Sequence, residues 1–255
     1  MIELSVNLNE FKDAVEAIWL KGKYKSSTVS KIDSINNLGV AFVKQNNTLT
    51  LANASETIAA TVTIRASAED VKEEQMFIFD IEKLNKYMKV FKSEHLTMRI
   101  GDSRLTLKNE TQSAQMQMSI EHNNLSAILK VQGLKIPNEG MAQFGKTTLD
   151  AKLCMQGKEL AKAIKHCNIV GTATFKLDYN GETCVVSSGN FHATEHFEYN
   201  LPMVSHEGEP ATVEFSAPID KFCQDGVMYL FIKDDKPVLL IGTNRKLVVA
   251  PYIRA

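Results

Sequence analysis

The chain has 255 residues, and 29 Lys and Arg against 30 Asp and Glu leave a formal net charge of −1. Hydrophobic residues make up 44% and charged residues 23%, a globular composition with enough chain for one large core or two ordinary ones. No run nears the ~18 apolar residues of a membrane span, and the N-terminus carries no signal-peptide pattern, so no membrane partner is expected.

In chain order, "ELSVNLNEFKDAVEAI" reads as a short strand running into a helix. The exposed side of that helix holds Asp13 and Glu16, with Lys12 flanking. "GVAFVKQNNTLTLA" is a hairpin turning at Asn46-Asn47. The strand "MFIFD" then leads into "IEKLNKYMKVFK", Ile81 to Lys92. At ~100° per residue, Ile81, Leu84, Tyr87, Met88 and Phe91 gather into one apolar stripe. Lys83, Lys86, Lys89 and Lys92 centre on the opposite side, so the outer face is expected to be wholly cationic. A second hairpin, "HLTMRIGDSRLTLKN", alternates Leu96, Met98 and Ile100 with Thr97 and Arg99. A further strand alternates Ala114, Met116, Met118 and Ile120 with Gln115, Gln117 and Ser119.

From Glu121 to Lys146 the alternation stops, and the stretch reads as a long connector without sustained period. The same order of elements then returns. "AKLCMQGKELAKAIKHC" is strand and helix, and "ATFKLDYNGETCVVSS" is a hairpin whose Asn180-Gly181 turn calls for positive φ at both central residues. "VEFSA" is a strand, "PIDKFCQDG" a second helix, and "VMYLFIKDDKPVLLIGTNRKLVVAPYI" the closing strands. The offset between copies is roughly 140–150 residues, far beyond a solenoid period. The fold class is therefore α+β, with two similar domains of antiparallel sheet and two helices each. They occupy 1–120 and 147–255, flanking a connector at 121–146.

The helix around Lys158–Cys167 repeats the earlier pattern. Leu160, Ala163, Ile164 and Cys167 share one face, and Lys158, Lys162 and Lys165 lie opposite. Two lysine-only faces exceed what solubility asks for, since solubilising surfaces mix signs. Without stacking aromatics or an Arg/Asn/Gln set to read base edges, plain lysine suits sequence-blind attraction to phosphates.

Catalysis finds no foothold. There is no Walker loop, GxSxG elbow or HExxH. His192 and His196 are four apart, but "NFHATEHFEY" alternates like a strand, which does not bring i and i+4 together. Asp234-Asp235 sits in a hairpin turn. Cys154, Cys167, Cys184 and Cys223 form no CxxC pair and read as reduced thiols of a cytosolic protein. No enzyme activity, metal or cofactor is expected.

Three segments carry a family likeness: "GLKIP" in the connector, "VVAPYI" near the C-terminus, and "KYMKVFKSEHLTMRI". In these and in element order along nearly the whole chain, the sequence resembles a DNA sliding clamp of the proliferating-cell nuclear antigen type. "NTLTLANASE" is also similar to the first domain of bacterial beta clamps. The resemblance implies a homotrimeric ring around duplex DNA, acting as a processivity factor for a DNA polymerase and a docking platform for replication and repair proteins. The implied partners are DNA, polymerase, a clamp loader, and ligase- and nuclease-type proteins bearing clamp-binding peptides. It implies a cytoplasmic, nucleoid-associated site of action, or a nuclear one in a eukaryote, and a viral source is equally compatible. Matched position by position, the DNA-facing residues are Lys12, Lys86, Lys89, Lys162 and Lys165, with Lys83 and Lys158 on the same helix faces. Two further basic positions of the family fall on Asp13 and Trp19. The partner-peptide pocket would be built by Leu134, Ile136 and Pro137 of the connector, over Pro237, Val248, Ala250 and Pro251. Ring closure would pair an edge strand with Gln112, Ala114, Met116 and Met118 against one with His192, Thr194, His196 and Phe197 of the next subunit. The alternatives are a subunit of a heteromeric, checkpoint-type clamp and a monomeric, non-specific DNA-binding module.

Overall fold

The computed structural model describes residues 1–19, 37–68, 71, 73–137, 140–170, 174–189, 196–217, 219–223 and 226–252. The first series of elements is β1 (Ile2–Asn7), α1 (Leu8–Trp19), β2 (Leu38–Lys44), β3 (Thr48–Ala54), β4 (Ile58–Arg65), β5 (Ser67–Ala68), β6 (Gln75–Asp80), α2 (Ile81–Met88), β7 (His95–Ile100), β8 (Arg104–Lys108) and β9 (Ser113–Gln117). Next come α3 (Leu125–Gln132) and a short pair, β10 (Gln143–Phe144) with β11 (Thr147–Thr148). The second series is β12 (Ala151–Gln156), α4 (Gly157–Cys167), β13 (Phe175–Tyr179), β14 (Cys184–Gly189), β15 (His196–Leu201), β16 (Met203–Gly208), β17 (Ala211–Phe215), a 3₁₀ turn at Ile219–Lys221, β18 (Val227–Ile232), β19 (Val238–Gly242) and β20 (Arg245–Val249).

The two series are wired alike. β5-β1-β7-β8-β9 in the first has the order of β16-β12-β18-β19-β20 in the second, and β4-β3-β2-β6 has the order of β15-β14-β13-β17. One block from each series merges into a nine-stranded sheet through the antiparallel pair β20·β4, with Arg245 opposite Val62 and Val249 opposite Ile58. The other two blocks stand as separate sheets of five and four strands.

Apart from its exposed edge strand β16, the nine-stranded sheet is largely buried on both faces, which explains its near-continuous apolar runs. Ala41, Val43, Val62, Leu230, Leu240 and Leu247 point to the side of α1, α2 and α4. Their neighbours Val40, Phe42, Phe231, Leu239 and Val248 point to the other side, where Ile128 and Val131 of α3 cover them. The starts of α1 and α2 are capped locally: the Asn7 side-chain oxygen accepts from the backbone N–H of Asn9 (3.0 Å) and Glu10 (3.2 Å), and Asp80 from Lys83 (2.8 Å).

Several expectations need correction. The connector is not structureless but holds α3, whose apolar residues close the outer face of the sheet. Within "PIDKFCQDG" the described residues form a 3₁₀ turn at Ile219–Lys221 instead of a second helix. Its two buried residues, Ile219 and Phe222, are spaced i, i+3, the spacing that a three-residue turn brings onto one side. β9 ends at Gln117, and Ile120 is 94% exposed instead of continuing the inward alternation. Both hairpin turns use one positive-φ residue, Asn47 (58°) and Gly181 (98°). Asn180 instead accepts with its side chain from the N–H groups of Glu182 (2.9 Å) and Thr183 (2.8 Å).

At Gly208, φ is +103° and an added Cβ would meet the Asp150 carbonyl oxygen at 2.0 Å. Gly208→Ala is therefore expected to destabilise the β12·β16 edge by about 2 kcal/mol or more, read as a lowered midpoint of chemical unfolding. No helix among the described residues is long and apolar enough to cross a membrane.

Candidate functional site

α1, α2 and α4 place their apolar stripes in one core and turn the other face outward. On α4, Leu160, Ala163, Ile164 and Cys167 are buried, while Lys158, Lys162 and Lys165 are exposed. The Lys162 ammonium stands 5.7 Å from the centre of the Tyr199 ring, and the Tyr199 hydroxyl donates to Glu159 (3.0 Å). On α2, Ile81, Leu84, Asn85 and Met88 are buried, and Lys83, Lys86 and Lys89 are exposed. The helix stops at Met88, leaving Lys92 beyond it. Nor is its face wholly cationic: Glu82 pairs with Lys86 at 2.9 Å and, by that hydrogen bond first, raises the lysine's pKa.

α1 is different in sign. Lys12 is half-buried, and its ammonium donates to the Phe91 carbonyl at 3.3 Å, tying α1 to the segment after α2. Asp13 pairs with Arg245, a side chain only 5% exposed that also donates to the Phe222 carbonyl (3.0 Å). Glu16 pairs with Lys221 at 3.5 Å. Asp13 and Glu16 of α1 thus meet bases from the second series, across the β20·β4 joint. Asp13, Lys158, Lys162, Lys165 and Arg245 line one cleft. This joining role of Arg245 and Lys221 is invisible in sequence, because Arg245 and Asp13 lie 232 residues apart.

On the opposite face of the nine-stranded sheet, Leu134, Ile136 and Val248 join the apolar cluster beneath α3. Pro137 is half-buried beside them in sequence, and Pro237 is half-buried in the β18–β19 connection. Ala250 donates its N–H to the Thr57 carbonyl (2.7 Å), and Pro251 bridges to Phe215. Lys246, whose pKa burial lowers, donates to the Gln132 carbonyl at 2.6 Å, at the C-terminal end of α3 where a cation is favoured.

β9 and β15 each lie at the outer edge of their sheet. Along β9 the N–H of Met118 donates to Ser103 (2.9 Å) and that of Asn109 to Gln112 (3.0 Å). Antiparallel alternation then turns the backbones of Gln112, Ala114, Met116 and Met118 toward β8, and those of Ser113, Gln115 and Gln117 toward the open edge. The residues expected at a subunit contact thus bond within the chain through their backbones, and Met116 is buried. The strand's free donors belong to their neighbours. On β15, Phe197 packs against the core and His196 is exposed, whereas His192 and Thr194 lie outside the described residues.

Burial pushes the Cys167 thiol up to about 11 and the Cys184 thiol to about 12, away from the thiolate form at neutral pH. Asp234 accepts from the Thr212 N–H (2.6 Å) at a turn completed by Asp235 at φ 53°. Among the described residues, no group of three or more His, Cys, Asp or Glu is placed to hold a metal ion.

No protein-family model matches the chain, and no curated protein matches its sequence. Solved structures do match in architecture. The structure described as the C-terminal region of FEN-1 bound to A. fulgidus PCNA aligns over 100% of both chains at 16% identity, with a TM-score of 0.71. PCNA from Thermococcus kodakaraensis aligns over 99% of this chain and 100% of its own at 13% identity and TM-score 0.66. The DNA polymerase sliding clamp of Bacillus subtilis gives 13% identity and TM-score 0.72 over 99% of this chain, which spans only 64% of that longer protein. The duplicated sheet wiring, α1, α2 and α4 gathered on one face and the two full-length PCNA superpositions lead to one conclusion: the chain has the DNA sliding-clamp fold, at the length of a PCNA subunit.

Proposed function

We propose that the protein is a sliding clamp, a ring of three copies that encircles duplex DNA and tethers a polymerase and other replication or repair proteins to it. One observation carries this reading: the chain contains one copy of the joint that a ring needs and presents both halves of another. Inside the chain, β20 pairs with β4. Their counterparts in the duplicated wiring are β9 and β15, each of which lies at an edge of its sheet. Rows across the sheets set the correspondence. Leu4, Met98, Leu107 and Ala114 stand in one row, and Leu153, Leu230, Leu240 and Leu247 in the other. Ser113 and Gln115 therefore correspond to Lys246 and Val248. The latter two face β4 with their backbones, since Thr63 donates to Asn244 (2.8 Å) and Ala250 to Thr57 (2.7 Å) on either side. Repeating the internal joint between copies pairs the open edges of β9 and β15 and is head-to-tail, the kind of contact that closes a ring.

In such a ring the lysines of α2 and α4 line the hole. Exposed lysine on phosphate holds DNA without reading sequence, which permits sliding. The tether works through effective concentration at the primer end and calls for no chemistry. Light scattering should give about three times the 28.4 kDa of the chain, and the ring should be retained on circular DNA and lost from linear DNA. A stable monomer at micromolar concentration would overturn the reading.

The apolar ledge around Leu134, Ile136 and Val248, continuing toward Pro251, is the proposed dock for clamp-binding peptides. Ile136 is half-buried, so its truncation removes a docking surface without opening the core. Ile136→Ser is expected to weaken peptide binding by ~2 kcal/mol or more while leaving the ring mass unchanged, and Pro251→Ser to act in the same direction. Calorimetric titration with a clamp-binding peptide measures both. Unchanged affinity in the two variants would assign the connector a purely structural role.

A further inference from the structure

We propose that phosphate groups serve as counter-ions of the joint between subunits, so that a polyanion tightens the ring it threads. This rests on the ring assembled through β9 and β15. The internal joint is held on its helix side by two acid–base pairs, Glu16 with Lys221 (3.5 Å) and Asp13 with Arg245. The duplicated wiring says what occupies those places in the joint between copies. α1 and α4 each begin directly after their strand, and their buried residues coincide: Phe11, Ala14, Val15 and Ile18 with Leu160, Ala163, Ile164 and Cys167. Asp13 and Glu16 thereby correspond to Lys162 and Lys165. On the other side, buried Ile81 and Leu84 of α2 coincide with Ile219 and Phe222 of the 3₁₀ turn, so Lys83 corresponds to Lys221. By the strand rows above, Gln112 corresponds to Arg245.

The substitutions are one-sided. Where Glu16 meets Lys221 within the chain, Lys165 of one copy meets Lys83 of the next. Where Asp13 meets Arg245, Lys162 meets Gln112. The glutamates on these two helices are engaged elsewhere, Glu82 with Lys86 (2.9 Å) and Glu159 with the Tyr199 hydroxyl (3.0 Å). Glu198 of β15 is exposed on the sheet face opposite the helices, since its neighbours Phe197 and Tyr199 pack into the core. Among the described residues, Lys162 and Lys165 of α4 thus face Gln112 and Lys83 across each intersubunit joint, while Glu82 and Glu159 of the two helices are engaged within their subunits. Like charges there oppose closure until an anion enters, and the repulsion acts mainly at low ionic strength. An anion that binds the assembled cluster better than the separated halves must, by linkage, favour assembly. A duplex in the hole brings phosphodiester oxygens to that cluster, and free polyphosphate offers the same chemistry without a strand.

Sedimentation equilibrium tests this on the full chain without DNA, at about 50 and about 500 mM NaCl, where screening differs strongly. The variants are Lys165→Glu, Lys83→Glu and the two combined. Either single reversal recreates the acid–base pair of the internal joint and should tighten association roughly tenfold per joint at low salt. The double reversal places acid against acid and should return to the weaker assembly of the wild type. Wild-type association should strengthen as salt rises, and that of Lys165→Glu should weaken. A short blunt duplex and tripolyphosphate, added separately, should each tighten the wild type more than Lys165→Glu; an effect of the duplex alone narrows the counter-ion to a nucleic-acid strand. Single reversals that leave a wild-type trimer unchanged or loosen it would overturn the counter-ion role while leaving the ring intact. Monomers in every variant and condition would instead overturn the ring, and this inference with it.

Discussion

Gln115→Pro is expected to leave a folded monomer in place of the trimer proposed for the wild-type chain. The backbone of Gln115 faces the open edge of β9, and those of Ala114 and Met116 face β8. Proline at 115 therefore removes no bond inside the subunit, and its exposed side chain leaves no hole. In the assembled ring it deletes one donor of the intersubunit ladder and sets its ring against the approaching strand. A missing buried hydrogen bond costs about 1–3 kcal/mol per joint, and a closed trimer contains three such joints. Light-scattering mass and far-ultraviolet circular dichroism check the two halves of the expectation. Gln115→Ala, which keeps the N–H, should remain trimeric. Met116→Pro is the contrasting case: it breaks the β8·β9 ladder at a buried core residue and should lower subunit stability itself. Trimeric Gln115→Pro would mean that β9 is not the closing edge.

Replacing Lys89, Lys158, Lys162 and Lys165 together by alanine will weaken DNA association and flatten its salt dependence. All four are exposed on the helix face opposite α3, so folding should be unaffected. Lys86 is kept because its removal would leave Glu82 facing the DNA. Each lysine–phosphate attraction is weak and screened, but counterion release makes the effects add: the slope of log affinity against log salt should fall by up to about 0.9 for each phosphate left without its lysine. Base sequence should make no difference, because lysine on phosphate reads none. Clamp loading and polymerase stimulation should slow in parallel. The matched control, Lys108, Lys130, Lys146 and Lys236 to alanine, removes the same charge from other exposed positions. Equal weakening in the two variants would assign the effect to bulk charge and not to a channel.

Local pattern by itself determined much of this protein. The stripe of Phe11, Ala14, Val15 and Ile18, and its counterparts on α2 and α4, could face only a core, because a 3.6-residue period leaves one side apolar. The lysines opposite were then bound to be exposed. The alternation of Leu96, Met98 and Ile100, the turns at Asn47 and Gly181, and the return of the same element order after the connector were likewise written in the order of residues. Periodicity reports that a residue faces a core. It does not report which core, or what stands across from a charge.

The tertiary structure decided the rest. "LSAILKVQ" carries too little pattern for a helix to be read alone; it becomes α3 because the outer face of the nine-stranded sheet must be covered. "PIDKFCQDG" has an apolar pair three residues apart but no second turn of apolar residues to extend it, and its described residues stay a 3₁₀ turn at Ile219–Lys221. Asp13 and Glu16 of α1, unexpected beside basic faces, acquire their meaning only when β20 pairs with β4 and brings Arg245 and Lys221 against them. Which backbones of β9 face the open edge depends on where its ladder with β8 begins, a register set by both strands and their turn. A sequence read residue by residue has no term for that pairing, because the bond that fixes each position is made by an atom from another part of the chain.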